Sequence, residues 1–178
     1  MNVLNRLHFE SPLGGVTLAA SQRGLCGAWF EGQRHGPSLA QIERWPHTTD
    51  DPLLQQAAHQ LQAYFAGQRQ SFDLPLDLSG GTKFQQSVWH ALLGIGCGQS
   101  QSYGDLARQL NQPKAVRAVG AAVGRNPVGI IVPCHRILGA GGQLTGYAGG
   151  LWRKAALLRL EGHPVAMPAC TTPSLFSE

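Results

Sequence analysis

Apolar and polar residues follow different patterns in the two halves of the chain. In the first half, Asp51 followed by Pro52 predicts a helix start, and apolar residues recur at helical spacing until Gly67. Alternating apolar residues and turn signals predict short strands in the same half, at residues 16–20, 25–30 and 71–78. The first half is therefore predicted to contain both strands and a helix.

The second half has the spacing of helices. Thr82 with Gln85, and Ser102 with Asp105, form the capping-box pattern, in which side chains satisfy the free backbone N–H groups of a helix start. Four helices are predicted, beginning near residues 82, 102, 113 and 151, and the last ends at Glu161 before Gly162. Because the turn at residues 111–113 is short, the second and third helices are a helix-turn-helix candidate.

The best boundary signal is the flexible segment Ser-Gly-Gly at residues 79–81. We therefore predict an α+β fold, with a small N-terminal α/β domain at residues 1–80 and a helical domain at residues 81–162. The remaining residues, 163–178, are rich in Pro, Ser and Thr and are predicted to be an irregular tail.

Composition predicts a packed globular protein of the cytoplasm. Hydrophobic residues make up 43% of the chain and charged residues 13%, which excludes the composition of a disordered chain. No long apolar stretch predicts a membrane span, and residues 1–10 lack the pattern of a signal peptide. The four cysteines are scattered without metal-ligand spacing, so we predict a reducing compartment and neither a metal site nor a cofactor.

Positive charge is concentrated in the second half. The formal net charge is +4, and eight Lys and Arg residues lie between Arg108 and Arg159, a stretch without any Asp or Glu. Such a stretch is typical of a surface that faces phosphates. The alternative is a merely basic soluble domain, which charge alone does not exclude.

The segment at residues 130–137 carries the main chemical candidate. Pro133 interrupts an apolar run immediately before Cys134, and His135 and Arg136 follow the thiol. A thiol at the end of a strand-like segment, beside groups that favour its thiolate, is a candidate nucleophile. Neighbouring residues of an extended chain point to opposite faces, so His135 would reach the thiol only through a water or after a turn. The alternative is a buried, inert cysteine.

Two further positions have both a functional and a structural interpretation. Glu161 lies in the last turn of a helix, where a carboxylate opposes the helix dipole, so it is either solvated or has a task such as orienting His135. The helix that begins near residue 113 consists mostly of small residues, with Arg117 as its single long basic group. Small residues permit close approach to another surface, but they also fit a tightly packed core helix.

Together these motifs resemble the O6-alkylguanine-DNA alkyltransferases, also called methylated-DNA–protein-cysteine methyltransferases. The match covers roughly residues 81–162, and the first eighty residues match only loosely. Its motifs are GTKFQ at 81–85, SYG at 102–104, RAVG at 117–120, NP at 126–127, PCHR at 133–136, TGYAGG at 145–150 and LLRLEG at 157–162. The resemblance implies a ribonuclease-H-like N-terminal domain and a winged-helix-like helix-turn-helix domain. Because no metal-binding regulatory domain is evident, it also implies a stand-alone repair protein.

The resemblance implies roles for five catalytic residues. Cys134 would accept the alkyl group irreversibly, with His135 as its base through a water and Glu161 holding His135. Asn126 would brace the active-site turn. Tyr103 would protonate the leaving guanine and crowd the phosphate, so that the nucleotide rotates out of the duplex.

The resemblance also implies a DNA interface and a base pocket. The helix that carries Arg117 would lie in the minor groove, and Arg117 would fill the gap left by the extruded base. The other implied DNA-binding residues are Tyr103, Ala115, Ala118 and Gly120. The implied base-pocket residues are Pro133, Tyr147, Ala148 and Gly149.

The implied function is single-turnover DNA repair by a monomer that acts on double-stranded DNA. The protein would extrude O6-alkylguanine, and also O4-alkylthymine, and transfer the alkyl group to its own cysteine. The first alternative is a lesion-binding protein without chemistry, although such relatives lack the acceptor cysteine. The second is a Cys-His hydrolase, which would turn over many times.

Overall fold

A three-stranded antiparallel sheet opens the computed structural model, which describes residues 3–166. Its strands follow each other in chain order as β1 (Asn5–Ser11), β2 (Gly14–Ser21) and β3 (Gly24–Phe30). Strands β2 and β3 are almost entirely buried, and both were predicted from their apolar residues. Strand β1 is a half-exposed edge strand, and its mixed sequence NRLHFES gave no clear signal.

Two helices follow the sheet, a short α1 (Leu39–Glu43) and α2 (Pro52–Phe65). The predicted start of α2 is confirmed, because the Asp51 carboxylate accepts hydrogen bonds from the backbone N–H groups of Leu53 and Leu54 at 3.0 and 3.1 Å. Helix α2 packs its apolar face on the sheet, with Leu54, Ala57, Leu61 and Tyr64 buried.

The predicted strand at residues 71–78 is wrong. The segment forms only an isolated bridge, in which the Pro75 carbonyl accepts from Leu25 at 2.8 Å and Asp77 donates to the Leu25 carbonyl at 2.9 Å. Because Pro75 has no backbone N–H group, it cannot donate a hydrogen bond to a neighbouring strand, and the regular hydrogen-bond ladder of a strand is interrupted there. The segment therefore runs beside β3 without joining the sheet as a strand.

The second half contains the predicted helices α3 (Lys83–Leu92), α4 (Tyr103–Gln109) and α5 (Val116–Gly124). Both predicted capping boxes are confirmed, at Thr82 and at Ser102. Helix α5 begins three residues later than predicted, since residues 113–115 form a turn and no side chain caps the helix. Helices α3 and α4 both pack against α5.

The strand-like segment predicted before Cys134 is also wrong. Residues 128–133 form successive turns, closed by backbone hydrogen bonds from Val132 to the Val128 carbonyl at 2.9 Å and from Cys134 to the Val132 carbonyl at 2.8 Å. Cys134 begins a short 3₁₀ helix, Cys134–Arg136, which leads into β5 (Ile137–Leu138), parallel to β4 (Gln101–Ser102). A second 3₁₀ helix, Ala140–Gly142, and α6 (Leu151–Leu160) follow.

The two halves share one hydrophobic core and are also joined through the backbone. Ala28 of β3 donates its N–H to the Pro127 carbonyl, and its own carbonyl accepts from the Gly129 N–H, both at 2.9 Å. The sheet therefore holds the start of the turns at residues 128–133, which we call the active-site turn. The prediction of an α+β fold is confirmed, with a sheet in the first half and mainly helices in the second. Most of the predicted tail lies outside the described residues. No helix within residues 3–166 has the length and hydropathy needed to cross a membrane.

Candidate active site

Cys134 lies at the edge of a cavity of about 180 Å³, and only 8% of the residue is exposed. Helix α5, the loop after residue 145, the active-site turn and the segment after β3 form its walls. Its lining residues include Gln33, Arg34, His35, Tyr103, Gly120, Asn126, Tyr147, Ala148 and Gly149. Pro133 is not among them, because it lines a different cavity with Ile131 and Arg136. The prediction that Pro133 belongs to the base pocket is therefore corrected.

Asn126 connects several points of the active-site turn. Its Oδ1 accepts from the Val128 N–H at 3.0 Å, and its Nδ2 donates to the Val132 carbonyl at 2.8 Å and to Cys134 Sγ at 3.1 Å. The turn that it spans contains Ile130 at φ +70°, a conformation that is strained for a β-branched residue. A fully hydrogen-bonded, buried amide therefore holds the thiol on a strained turn.

The environment of the Cys134 thiol differs from the sequence-based expectation. Burial raises the pKa of Cys134, and the Asn126 hydrogen bond and the charge of Lys154 only partly offset that effect. Arg136, which follows the thiol in sequence, is engaged elsewhere. The thiol is therefore protonated in the resting protein and needs a base to become a nucleophile.

Glu161 is buried, with 1% of its side chain exposed, so the interpretation as a solvated helix end is wrong. Its Oε1 lies 2.9 Å from His135 Nε2 and accepts from the Tyr64 hydroxyl at 2.8 Å. Arg136 binds both carboxylate oxygens, Nε to Oε2 and Nη2 to Oε1, at 2.8 Å each. Burial alone would raise the pKa of Glu161, but the hydrogen bonds from His135 and Arg136 outweigh it and hold the pKa well below its usual range.

His135 is fully buried, and its two ring nitrogens have different surroundings. Nε2 faces the Glu161 carboxylate, which favours the tautomer with the proton on Nε2. Nδ1 is buried and has no hydrogen-bond partner within residues 3–166. Burial lowers the pKa of His135 despite the opposing effect of Glu161, so the ring is neutral at neutral pH and Nδ1 is its basic atom.

Lys154 is a fully buried cation that the sequence analysis missed. Its Nζ donates to the backbone carbonyls of Ile137, Thr145 and Gly146. Burial lowers the pKa of Lys154 to about 8. Lys154 lies three and four residues before the buried Leu157 and Leu158, and this helical spacing was the available signal that it belongs to the buried face.

Tyr103 lies at the start of α4, opposite the loop that Lys154 holds. Its hydroxyl is 3.5 and 3.4 Å from the carbonyl oxygens of Thr145 and Gly146. Burial raises the pKa of Tyr103, and the charge of a Cys134 thiolate raises it further. The phenol is therefore protonated at neutral pH and available as a donor at the cavity.

Arg153 links the cavity wall to the sheet and was also missed. It donates from Nε to the Leu13 carbonyl at 2.9 Å and from Nη1 to the Gly149 carbonyl at 3.0 Å. Its guanidinium carbon lies 4.6 Å from the centre of the Phe30 ring. The cavity wall at Gly149 is thus attached to the N-terminal sheet.

Helix α5 presents an open surface beside the cavity. Arg117 and Ala118 are exposed, Ala115 and Gly120 are half-buried, and Val119 packs into the core. Helix α5 thus packs one side, with Val119, Ala122 and Val123, into the core and leaves the other side solvent-accessible, with the Arg117 guanidinium exposed. Within residues 3–166, no group of three or more His, Cys, Asp and Glu side chains is arranged to hold a metal ion.

Comparison with known proteins identifies both halves of the chain. Residues 83–163 match the family model for the 6-O-methylguanine DNA methyltransferase DNA binding domain, and residues 7–78 match that for its ribonuclease-like domain. A methylated-DNA–protein-cysteine methyltransferase of Mycobacterium tuberculosis is 50% identical over 153 residues, covering 85% of this chain and 88% of the relative. One of Methanosarcina acetivorans is 46% identical over 154 residues, covering 86% and 96%.

A solved structure is similar over most of its length. The crystal structure of Mycobacterium tuberculosis OGT in complex with DNA superposes with a TM-score of 0.79 at 47% identity, and the match covers 89% of this chain and 92% of that one. Two family models and these relatives agree with the resemblance carried by the sequence motifs. The chain therefore belongs to the 6-O-methylguanine DNA methyltransferase family.

Proposed function

We propose that this protein repairs alkylated double-stranded DNA by transferring the alkyl group of O6-alkylguanine to Cys134 in a single turnover. The observation that carries the proposal is the position of Cys134, at the edge of a cavity between the open face of α5 and the loop at residues 145–149. The thiol is held by Asn126, and a neutral histidine with a buried carboxylate partner follows it in the chain. This arrangement supplies a nucleophile, a base and a group that orients the base.

The proposed reaction begins with removal of the thiol proton. The proton passes from Cys134 Sγ, through a water, to His135 Nδ1, while Glu161 accepts the Nε2 hydrogen bond and stabilises the imidazolium. The thiolate attacks the alkyl carbon, so that a sulfur–carbon bond forms and the bond from carbon to guanine O6 breaks. The guanine leaves with the electron pair and takes a proton from the Tyr103 hydroxyl. The thioether at Cys134 is stable, so the protein is consumed.

The alkylated base must leave the helix before it can react. Its alkyl carbon is stacked inside duplex DNA, and extrusion costs a few kcal/mol. In our proposal the small residues Ala115, Ala118 and Gly120 let α5 lie close in the minor groove. Arg117 enters the base stack and compensates for the lost stacking.

The test is the mass of the intact protein after it reacts with a duplex oligomer that carries one O6-methylguanine. We expect one added methyl group per protein molecule, which peptide mapping places on Cys134 and not on Cys26, Cys97 or Cys170. A matched oligomer with O4-methylthymine should give the same product. Cys134→Ala should bind the duplex and gain no mass. Many turnovers per molecule would instead favour a hydrolase, and binding without any mass gain would favour a lesion-binding protein.

Arg117→Ala is expected to impair reaction with duplex DNA far more than reaction with free O6-benzylguanine, because only the duplex requires extrusion. Lys114→Ala is the matched control, since Lys114 is also exposed and its loss changes the charge equally. Single-turnover rates on both substrates are the measurement. If Arg117→Ala slowed both reactions equally, Arg117 would act in the chemical step or in folding and not in extrusion. If Lys114→Ala slowed the duplex reaction as much as Arg117→Ala does, Arg117 would contribute only its positive charge.

A further inference from the structure

The segment that follows β3 leaves the sheet and reaches the cavity that holds Cys134. Gln33, Arg34 and His35 all line that cavity, although they belong to the N-terminal half. We refer to residues 32–37 as the N-terminal loop. The α5 residues Gly120, Val123 and Gly124 also line the cavity, so the N-terminal loop and α5 border the same opening.

Hydrogen bonds of Gln33 and Arg34 attach the N-terminal loop to β3 and to the cavity wall. Gln33 accepts through Oε1 from the Phe30 N–H at 2.9 Å and donates its own N–H to the Phe30 carbonyl at 3.2 Å. Arg34 donates its backbone N–H to the carbonyl of Ala148, which also lines the cavity, at 3.0 Å. The next residue, His35, has φ +60°, which is uncommon for any residue other than glycine. These contacts attach the first part of the loop to the cavity wall.

The charge on this loop has no acidic partner among residues 3–166. Arg34 is exposed, and within that part of the chain its guanidinium forms neither an ion pair nor a hydrogen bond. Glu31, the nearest acid in sequence, lies 3.5 Å from His8 on β1 instead. The described lining of the cavity contains no Asp or Glu. The loop therefore presents an unneutralised cation in a setting that suits an anion.

A second cavity also borders this loop. It has a volume of about 410 Å³, and His35 lines both cavities. Arg125, at the C-terminal end of α5, and Gln85, on α3, lie on its walls, and its described lining is also free of Asp and Glu. Both cavities that border the N-terminal loop are thus free of acidic side chains in their described lining.

We propose that the N-terminal loop is part of the DNA interface and that Arg34 binds a backbone phosphate of the strand that carries the extruded nucleotide. The inference rests on the proposed function. A base held at Cys134 keeps its sugar and phosphates outside the cavity, whose lining this loop shares with α5. A guanidinium can bind two phosphate oxygens at once, which suits it to this position.

The experiment compares Arg34→Ala and Arg34→Lys with the wild-type protein. Arg44→Ala is the matched control, because Arg44 is also exposed in the N-terminal half and lines neither cavity. The Kd for a duplex with one O6-methylguanine is measured across a range of NaCl concentrations, with Cys134→Ala in every background to prevent reaction. In proteins that retain Cys134, the rate with free O6-benzylguanine is measured in parallel.

We expect Arg34→Ala to weaken duplex binding about tenfold at low salt, as for the loss of one charge-assisted hydrogen bond. The slope of log K against log salt should fall in magnitude by about 0.9, the contribution of one phosphate contact. Arg34→Lys should keep the slope, Arg44→Ala should match the wild type, and the benzylguanine rate should change much less than duplex binding.

An unchanged salt slope in Arg34→Ala would overturn the proposed phosphate contact. A benzylguanine rate that falls as far as duplex affinity would also overturn it, since the loop would then act on the pocket alone. If the wild-type protein itself showed no salt-dependent affinity for the duplex, that result would contradict the proposed function. A change missing only in the Arg34 variants would contradict the Arg34 contact alone.

Discussion

Glu161→Gln is expected to destabilise the protein by about 3–5 kcal/mol, the usual effect of breaking a buried ion pair. The carboxylate is the partner of the buried Arg136 guanidinium and also accepts from Tyr64 and His135. A neutral amide leaves the Arg136 charge without compensation in the protein interior.

Urea unfolding measures this effect, and Tyr64→Phe is its control. That variant removes only one hydrogen bond to the same carboxylate, so it should cost about 1 kcal/mol. Equal stability of Glu161→Gln and wild type would contradict the proposed importance of the buried pair.

The pH dependence gives a second readout of the Glu161 pair. Because the folded-state pKa of Glu161 lies below its unfolded value, its contribution to stability is present above about pH 4.3 and is lost as the pH falls toward the folded-state pKa. Because the pKa of His135 is also lowered in the folded protein, His135 likewise decreases the stability as the pH falls below about 6.5. Glu161→Gln should therefore lose stability less steeply than the wild type between pH 5 and 3, and identical slopes would contradict the assignment.

Alkyl transfer by Glu161→Gln should also be slow under conditions where the variant remains folded. Without the carboxylate, His135 loses the partner that keeps its proton on Nε2 and leaves Nδ1 basic. A positioned general base contributes roughly 100-fold or more to a rate, and we expect much of that to be lost. Single-turnover rates with O6-benzylguanine at several pH values measure this loss. The rate of Tyr64→Phe should remain close to that of the wild type.

Lys154→Met is expected to lower alkyl transfer to free O6-benzylguanine and to duplex DNA alike, by at least roughly tenfold. The ammonium group is the shared donor to the carbonyls of Thr145 and Gly146, which border Tyr103 at the cavity. Unsatisfied buried carbonyls cost about 1–3 kcal/mol each, so the loop should relax away from its present position. The loss of the Lys154 charge also removes one of the effects that lower the pKa of Cys134.

Arg159→Met is the matched control, because it removes one positive charge from an exposed position of the same helix. The relative rates on the two substrates distinguish Lys154 from Arg117, since Arg117→Ala should impair the duplex reaction far more than the benzylguanine reaction. A Lys154→Met protein with a normal benzylguanine rate would show that the loop does not depend on this cation.

Stability at alkaline pH tests the state of Lys154 itself. Its pKa is lowered from 10.5 to about 8 in the folded protein, so the unfolded chain binds more protons between these values. The Lys154 contribution to stability therefore rises with pH across that window. The difference in unfolding free energy between wild type and Lys154→Met should increase from pH 7.5 to 10, and a constant difference would contradict the lowered pKa.

Local sequence determined most of the helices and the position of the nucleophile. A capping box involves residues only three positions apart, so Thr82 and Ser102 marked α3 and α4 reliably. The ordered motifs around Cys134 identified the family before any distance was known. Local pattern failed at residues 71–78 and 130–133, where apolar residues indicated strands. Pro75 in the first segment, and the strained turn at Ile130 in the second, prevent a regular ladder.

Only the tertiary structure decided the state of the charged groups. Glu161 contacts His135 and Tyr64, which lie 26 and 97 positions away in the sequence. These hydrogen bonds offset part of the free-energy cost of burying the Glu161 carboxylate. For Lys154, helical spacing could indicate the buried face, but only the structure shows the three carbonyls that bind its ammonium group. The cost of burying a charge depends on which partners surround it, and those partners come from distant segments. Sequence thus determined which chemical groups this protein carries, whereas the fold determined their pKa values and what each group contacts.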